Sequence, residues 1–267
     1  MNKIVFKIAE SYVAIDDIIL NQQKWRNFVL LPNNQIINNN YIFANILLKT
    51  KDNLLEIYKI TNGRNLLRIR DTILIADERW ENNCIILGAN VGDAEFMLSK
   101  IFYTHAVQRH MIQFHSSLID YQGHGLMFLG PSGIGKTTQA ELWNQYRNAL
   151  IINGDIVFVQ ETEEAFLGWG TPWHGSSPYC ENTNVPVEAL IILKQAPENS
   201  IRKLEGFEKV TAVSNSVFYP RWLENGMELC LETLDHLLSK LPVYELSCRP
   251  DEEAVDLTEK TIFGREN

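Results

Sequence analysis

Residues 130–138 read Gly-Pro-Ser-Gly-Ile-Gly-Lys-Thr-Thr, a fit to G-x-x-x-x-G-K-[ST] with one additional internal glycine. An apolar run, Leu126-Met127-Phe128-Leu129, precedes it, and a helix-forming run, Gln139-Ala140-Glu141-Leu142-Trp143, follows. Strand, glycine loop and helix in that order form a cradle for phosphate. Glycines let successive N–H groups point inward, and the helix start adds partial positive charge. The pattern predicts that Gly130, Ser132, Gly133, Ile134, Gly135, Lys136, Thr137 and Thr138 hold a nucleotide. In that reading Lys136 reaches the β- and γ-phosphates and the Thr137 hydroxyl ligates a metal, so ATP and Mg are the implied cofactors.

Charge sharpens this expectation. Lys and Arg number 24 against 33 Asp and Glu, for a net charge of −9. Such a chain repels nucleic acid and anionic lipid as a whole, so a phosphate site has to be local. Neither nucleic acid nor membrane is expected as a partner. The N-terminus lacks an apolar signal segment and no run approaches the roughly 20 apolar residues that cross a bilayer, so a cytoplasmic location is expected. Cys84, Cys180, Cys230 and Cys248 are widely spaced and read as buried free thiols.

The 267 residues suit one large domain or two small ones, and the pattern divides them near residue 92. Residues 1–92 read as a small antiparallel β-rich subdomain. Strands are expected at 3–8, Tyr41–Leu48, Asn53–Ile60, Leu66–Ala76 and Asn83–Leu87, parted by turn signals at 32–34, 38–40, 51–53 and 61–63. Residues 93–267 read as the nucleotide-binding core. Phe96, Lys100, Tyr103, Val107 and Met111 fall at helical spacing and predict a helix from Asp93 to about Gln113. Strands follow at Ser116–Tyr121 and Leu126–Leu129, and a helix at Thr138–Arg147. An apolar strand at Ala149–Val159 is interrupted by Asn153-Gly154-Asp155. After a loop-rich stretch come a strand at Ala189–Leu193, a helix at Trp222–Lys240, a strand at Val243–Cys248 and a helix at Glu252–Phe263. The fold class is α/β with a mixed sheet.

No N-K-x-D guanine-reading motif and no L-S-G-G-Q signature occur. Asp155 follows the loop closely, and a short return from loop to acidic strand end fits a compact kinase core. His115-Ser116-Ser117-Leu118-Ile119-Asp120, Gly123 to Gly130, the loop, Leu142-Trp143 and Ile151-Ile152-Asn153-Gly154-Asp155 together resemble the HPr kinase/phosphorylase superfamily. Its nucleotide core is related to ATP-dependent phosphoenolpyruvate carboxykinase. The chain is closer to the HPr-kinase-like proteins associated with peptide-modifying gene clusters, and Gly170-Thr171-Pro172-Trp173-His174-Gly175, Val185-Pro186-Val187 and Leu193-Lys194-Gln195-Ala196 also look like that group. The likeness covers about residues 93–263.

The resemblance implies an ATP- and Mg-dependent kinase acting on a hydroxyl, with a serine of a peptide or protein, such as a ribosomally made precursor peptide, as acceptor. It implies catalytic roles for Asp155, His115 and Lys136 and metal contacts from Thr137 and Asp155. Relatives form oligomers, so the resemblance extends to a homo-oligomer. The family carries two adjacent aspartates where this chain has Gly154-Asp155. Asp120, Glu161, Glu163, Glu164 and Asn153 are candidates for the absent function, although Glu161–Glu164 also reads as a solvated turn. His174, Trp173, Lys194 and Arg202 are weaker candidates for substrate or phosphate contact. Two other readings stand beside the kinase: a nucleotide-binding regulatory or scaffold module, and a small-molecule kinase.

Overall fold

The computed structural model describes residues 3–9, 11–16, 26–28, 40–45, 55–60, 64–87 and 90–264. The chain groups into two compact units, residues 1–108 with 220–227, and residues 109–219 with 228–267.

In the first unit β1 (Lys3–Ile8) and β2 (Ser11–Asp16) pair antiparallel. A second sheet holds β3 (Asn40–Asn45), β4 (Leu55–Ile60), β5 (Arg64–Ile69), β6 (Thr72–Ala76) and β7 (Asn82–Leu87) in the order β3-β7-β6-β5-β4. In β6 buried and half-buried residues alternate strictly, as expected of a strand with one face on a core. Two expectations need correction. The single strand at Leu66–Ala76 is a hairpin, because Arg70 adopts φ 54° and turns the chain. The meander is not wholly antiparallel: β3 lies parallel to β7, since β4, β5 and β6 form the long crossover that a parallel pair requires. The turn signals at 32–34, 38–39, 51–53 and 61–63 and the side chain of Cys84 lie outside the described residues.

Helix α1 (Val91–Val107) starts at Asn90, whose side chain accepts from the Gly92 amide. It stops at Val107, short of the expected Gln113. Gln108 caps it, His110 turns at φ 52°, and Met111–Gln113 are already strand. Trp222 packs edge-on against Tyr103 and donates from its indole to Thr104 Oγ1 at 2.8 Å.

The second unit is built on β8 (Met111–Tyr121), followed by β9 (His124–Leu129), α2 (Lys136–Arg147), β10 (Leu150–Asn153), β11 (Ile156–Glu161), β12 (Phe166–Trp169), β13 (Asn184–Gln195), β14 (Ser200–Leu204), α3 (Gly206–Ser214), β15 (Val217–Phe218), α4 (Gly226–Lys240), β16 (Val243–Cys248) and α5 (Glu252–Phe263). The helix expected at Trp222–Lys240 begins at Gly226, because 220–226 form successive turns closed by Leu223 N–H to Pro220 O and Gly226 N–H to Leu223 O. Strand β8 pairs on one side with β10 and β11 and on the other with β9 and β15. Strand β13 pairs with β12 through its first residues and lies parallel to β9 and β16 through its later ones. Pairing therefore closes a ring, β8–β9–β13–β12–β11 and back to β8. The burial of β13 records this. Alternate residues are buried in its first half, and Ala189–Leu193 form an unbroken buried run where both faces are covered.

Helix α2 buries Lys136, Gln139, Ala140 and Trp143, the spacing that puts one face of a helix on a sheet. Trp143 meets the Tyr121 ring at 5.1 Å, edge to face. Tyr121 and Arg147 both bond Glu259 of α5, at 2.5 and 2.6 Å, so the two helices are fixed to one another over the same sheet. Cys180, Cys230 and Cys248 are buried and form no disulfide among the described residues. Among the described residues no helix is long and apolar enough to cross a membrane.

Candidate functional site

The glycine loop leaves the buried end of β9 and enters α2 at Gly135, which stands at φ 112° and is followed directly by the helix. That left-handed turn favours glycine, and it aims the first helical amides out of the loop. No side chain caps this helix start. Uncapped amides and the helix dipole make an anion-accepting end.

Lys136 is the first helical residue and is buried, with 6% exposure. Its ammonium curls back to donate to the carbonyls of Gly130 at 3.1 Å and Pro131 at 3.2 Å. Burial lowers its pKa, and the charge of Asp155 works against that lowering. Its own carbonyl accepts a 2.9 Å bond from the Ser117 hydroxyl of β8, which ties the helix start to the central strand. The next residue, Thr137, donates its hydroxyl to the Gly154 carbonyl at 3.2 Å. Ser132 and Thr138 are exposed on the loop and helix, and Ile134 packs on the core.

Asp155 sits in the break between β10 and β11. Its carboxylate meets His115 Nε2 at 3.0 Å, and both side chains keep about a quarter of their surface open to solvent. Burial pushes the carboxyl up. The His115 hydrogen bond and charge, the Lys136 charge and a bond from the Gly175 amide outweigh that and hold it below the ordinary aspartate value. The backbone is equally fixed: Ser116 N–H donates to Asp155 O at 3.0 Å and His115 N–H donates to Ser216 O at 2.8 Å.

A collar from 171 to 177 surrounds this break. Asn153, fully buried, accepts from the amides of Asp155 and Ile156 at 2.8 and 2.9 Å. Its Nδ2 donates to the carbonyls of Thr171 and Trp173 at 3.0 and 3.2 Å. All its polar capacity is committed, so Asn153 is a positioning residue and does not replace the absent carboxylate. Gly175 is required for closeness, because a Cβ there would stand 2.6 Å from Asp155 Oδ2. At Gly154 a Cβ would stand 2.6 Å from Ser177 Cβ and nearer still to its hydroxyl. The place where a neighbouring aspartate would project is already filled.

The structure brings together His115, Lys136, Thr137 and Asp155. The other proposed substitutes lie elsewhere. Asp120 caps the β8–β9 turn through the Gly123 amide, five positions along β8 from His115. Glu161 ends β11 and pairs with His236 and Lys240, and Glu163 and Glu164 are exposed in the turn beyond it. Lys194 and Arg202 are both paired with Glu245, so neither is a spare cation. Trp173 is buried, and His174 buries both ring nitrogens without a hydrogen-bond partner among the described residues. Ser177 and Phe218, whose ring lies 6.1 Å from that of His115, carried no signal in the sequence, and Gly175 stood there only within the resemblance, since each matters through a contact distant along the chain.

Two cavities flank the loop. One of about 530 Å³ is bounded by Gly133, Gly135, Thr138, Leu193, Ala196 and Cys248, at the C-terminal ends of the parallel strands β13 and β16. That is where open parallel sheets hold ligands. A second of about 790 Å³ lies on the other side, between the loop and α3. Thr137 and Asp155 offer one hydroxyl and one carboxylate. That is a donor set for Mg²⁺, which takes one or two carboxylates and completes its shell with substrate phosphate and water. Among the described residues no group of three or more His, Cys, Asp or Glu could hold a metal without such help.

No curated protein matches the chain. Among solved structures it is similar to the Hpr(Ser) kinase/phosphatase from Coxiella burnetii, at 10% identity and a TM-score of 0.34, over 56% of this chain and 95% of that one. Residues 94–249, more than half of the chain and including the whole loop and the Asp155 break, match the family model of the SynChlorMet cassette protein ScmC. The chain belongs to the ScmC family of SynChlorMet cassette proteins.

Proposed function

We propose that the protein is an ATP- and Mg-dependent kinase that transfers the γ-phosphate to a serine hydroxyl of a peptide or protein. One observation carries the reading: the 3.0 Å contact between His115 Nε2 and Asp155, set beside the loop that bears Lys136 and Thr137. With Nε2–H donating to the carboxylate, Nδ1 is left as a lone-pair acceptor. His115 then takes the acceptor proton and Asp155 steadies the imidazolium, the division of labour of a carboxylate–histidine pair. This supplies the base without a second aspartate.

The loop amides and Lys136 hold the triphosphate, and the cavity at Gly133 and Ala196 takes the nucleoside. Thr137 and Asp155 would hold Mg²⁺, which would supply charge neutralisation for the transferring phosphate. The acceptor oxygen forms a bond to the γ-phosphorus as the bond from that phosphorus to the β-phosphate oxygen breaks. The proton passes to His115 and ADP leaves with the electron pair. A family named for a cassette fits an acceptor supplied alongside the enzyme.

The test is incubation of the purified protein with labelled ATP, Mg²⁺ and serine peptides encoded in the same cassette, read by mass spectrometry. Phosphoserine is expected, with loss of at least about 100-fold in Asp155→Asn and His115→Gln. A second reading has its own observation, the filled space at Gly154: a nucleotide-binding regulatory module. ATP that binds and raises the melting temperature without being consumed would establish that reading instead. Absence of ATP binding would overturn both.

A further inference from the structure

The cavity of about 790 Å³ between the glycine loop and α3 has walls from Pro131, Ile134, Ile192, Leu204, Phe207 and Ala212. Its floor reaches Gly130 and Pro131, whose carbonyls receive the Lys136 ammonium. It also reaches Ser216, whose carbonyl receives the His115 amide. An occupant would therefore lie against the loop and against Ser216, which is bonded through its carbonyl to the strand that carries His115.

The charges around it cancel. Lys194 pairs with Glu245 at 2.6 Å, and Arg202 pairs with Glu245 at 3.0 Å and with Glu208. Two cations and two carboxylates leave the rim neutral, so neither an anionic nor a cationic group is favoured inside it. Phe207 stands at the mouth with 85% of its surface exposed, an unusual position for a large aromatic side chain. Phe218, 38% exposed, lies beside His115. The volume exceeds that of a single hydroxyl-bearing side chain and falls in the range of about 300–1,000 Å³ that encloses drug-sized ligands.

We propose that this cavity is the acceptor site and that it selects an uncharged peptide segment with a large apolar or aromatic side chain close to the acceptor serine. The proposal rests on the kinase reading for its acceptor hydroxyl, while its recognition element is independent of transfer. The apolar side chain fills the space between Ile192, Leu204 and Phe207, and the serine is thereby held toward Gly130 and Ser216, the end of the cavity nearest the strand of His115. Neutral walls reject flanking Asp, Glu, Lys or Arg, which would be desolvated without a partner.

The experiment measures binding and transfer separately. Fluorescent heptapeptides with a central serine, flanked by Phe, Leu, Gly, Asp or Lys, are titrated by anisotropy in the presence of a non-hydrolysable ATP analogue and Mg²⁺. Phe- and Leu-flanked peptides are expected to bind at least about tenfold more tightly than the others, and Phe207→Ala is expected to remove that preference. Phe207 is exposed, so its truncation leaves the fold intact, as thermal melting will show. Ala212→Phe, which fills the cavity from α3, is expected to weaken the same peptides with ATP affinity unchanged. Equal binding of all five peptides, or a preference untouched by both substitutions, overturns the inference. Selective binding without phosphoserine formation upholds the site and overturns the kinase reading.

Discussion

Ser177 occupies the volume that a side chain at Gly154 would need: the two would bring carbon atoms to 2.6 Å, with the serine hydroxyl closer still. Gly154 is absent from the positive-φ glycines, so its backbone would accept a side chain and only the space is denied. The lone carboxylate of Asp155 is thus a packed arrangement with its own neighbour. It is more than the loss of a residue.

Gly154→Asp will therefore destabilise the fold. Overpacking of this kind costs about 1–3 kcal/mol, which lowers the melting temperature by roughly 2–10 °C. Adding Ser177→Gly to the same chain is expected to recover most of the loss. Thermal denaturation of parent, single and double variants checks this, and a single variant as stable as the parent would refute the packing argument.

Lys136→Ala should weaken ATP by about 10- to 100-fold, the contribution of one or two charge-assisted hydrogen bonds. The fold should survive, because the carbonyls of Gly130 and Pro131 that lose their donor border a solvent-reached cavity. Calorimetric titration gives the affinity. In melting experiments ATP should raise the parent's transition and leave that of the variant nearly unmoved.

Asp155 gives a pH signature. Burial raises its carboxyl, but His115, Lys136 and the Gly175 amide together hold it below the ordinary value of about 3.9. A depressed folded pKa contributes stability that is complete above the unfolded value and disappears as pH falls through the folded one. Denaturant midpoints of the parent and of Asp155→Asn should therefore differ at pH 5 and approach each other below about pH 4. A gap that stays constant down to pH 3 would contradict the assignment.

Lys100 titrates in the opposite range. Burial lowers its pKa to about 8, and its ammonium lies over the rings of Phe96 at 4.3 Å and Trp222 at 4.7 Å. Between about pH 8 and 10.5 the unfolded chain keeps a proton that the folded chain has released, so stability rises with pH across that window. Lys100→Met keeps the stem and removes the buried charge. It should stabilise the protein by about 1–3 kcal/mol at pH 7, the aromatic faces offsetting part of the desolvation, and flatten the rise above pH 8. Urea denaturation at pH 7 and 9.5 measures both effects.

The features legible in the sequence are those whose cause is local. The loop at 130–138 and helix α2 follow from glycine, lysine and an amphipathic stripe within one stretch of chain. The break at Asn153-Gly154-Asp155 shows as polar residues inside an apolar run. Met111 misleads because it continues the helical phase of Phe96, Lys100, Tyr103 and Val107, while the left-handed turn of His110 that ends this phase has no glycine to announce it. Arg70 hides a hairpin for the same reason. Helix α3 escapes notice because Val213 is its one buried residue, so no apolar stripe marks it. The collar at 171–177 depends on bonds from Asn153 that span 18 and 20 positions, a relationship no local pattern holds.

Strand β8 carries His115 and, two positions on, Ser117, which grips the first carbonyl of α2. Residues at that spacing share one side of a strand. In the proposed kinase the base His115 and the phosphate loop are therefore mounted on a single rigid ruler inside one unit, and their separation is set when that unit folds. Neither a hinge nor a closing lobe is needed to bring them to working distance. On that reading the timing of the reaction is left to the arrival of the acceptor.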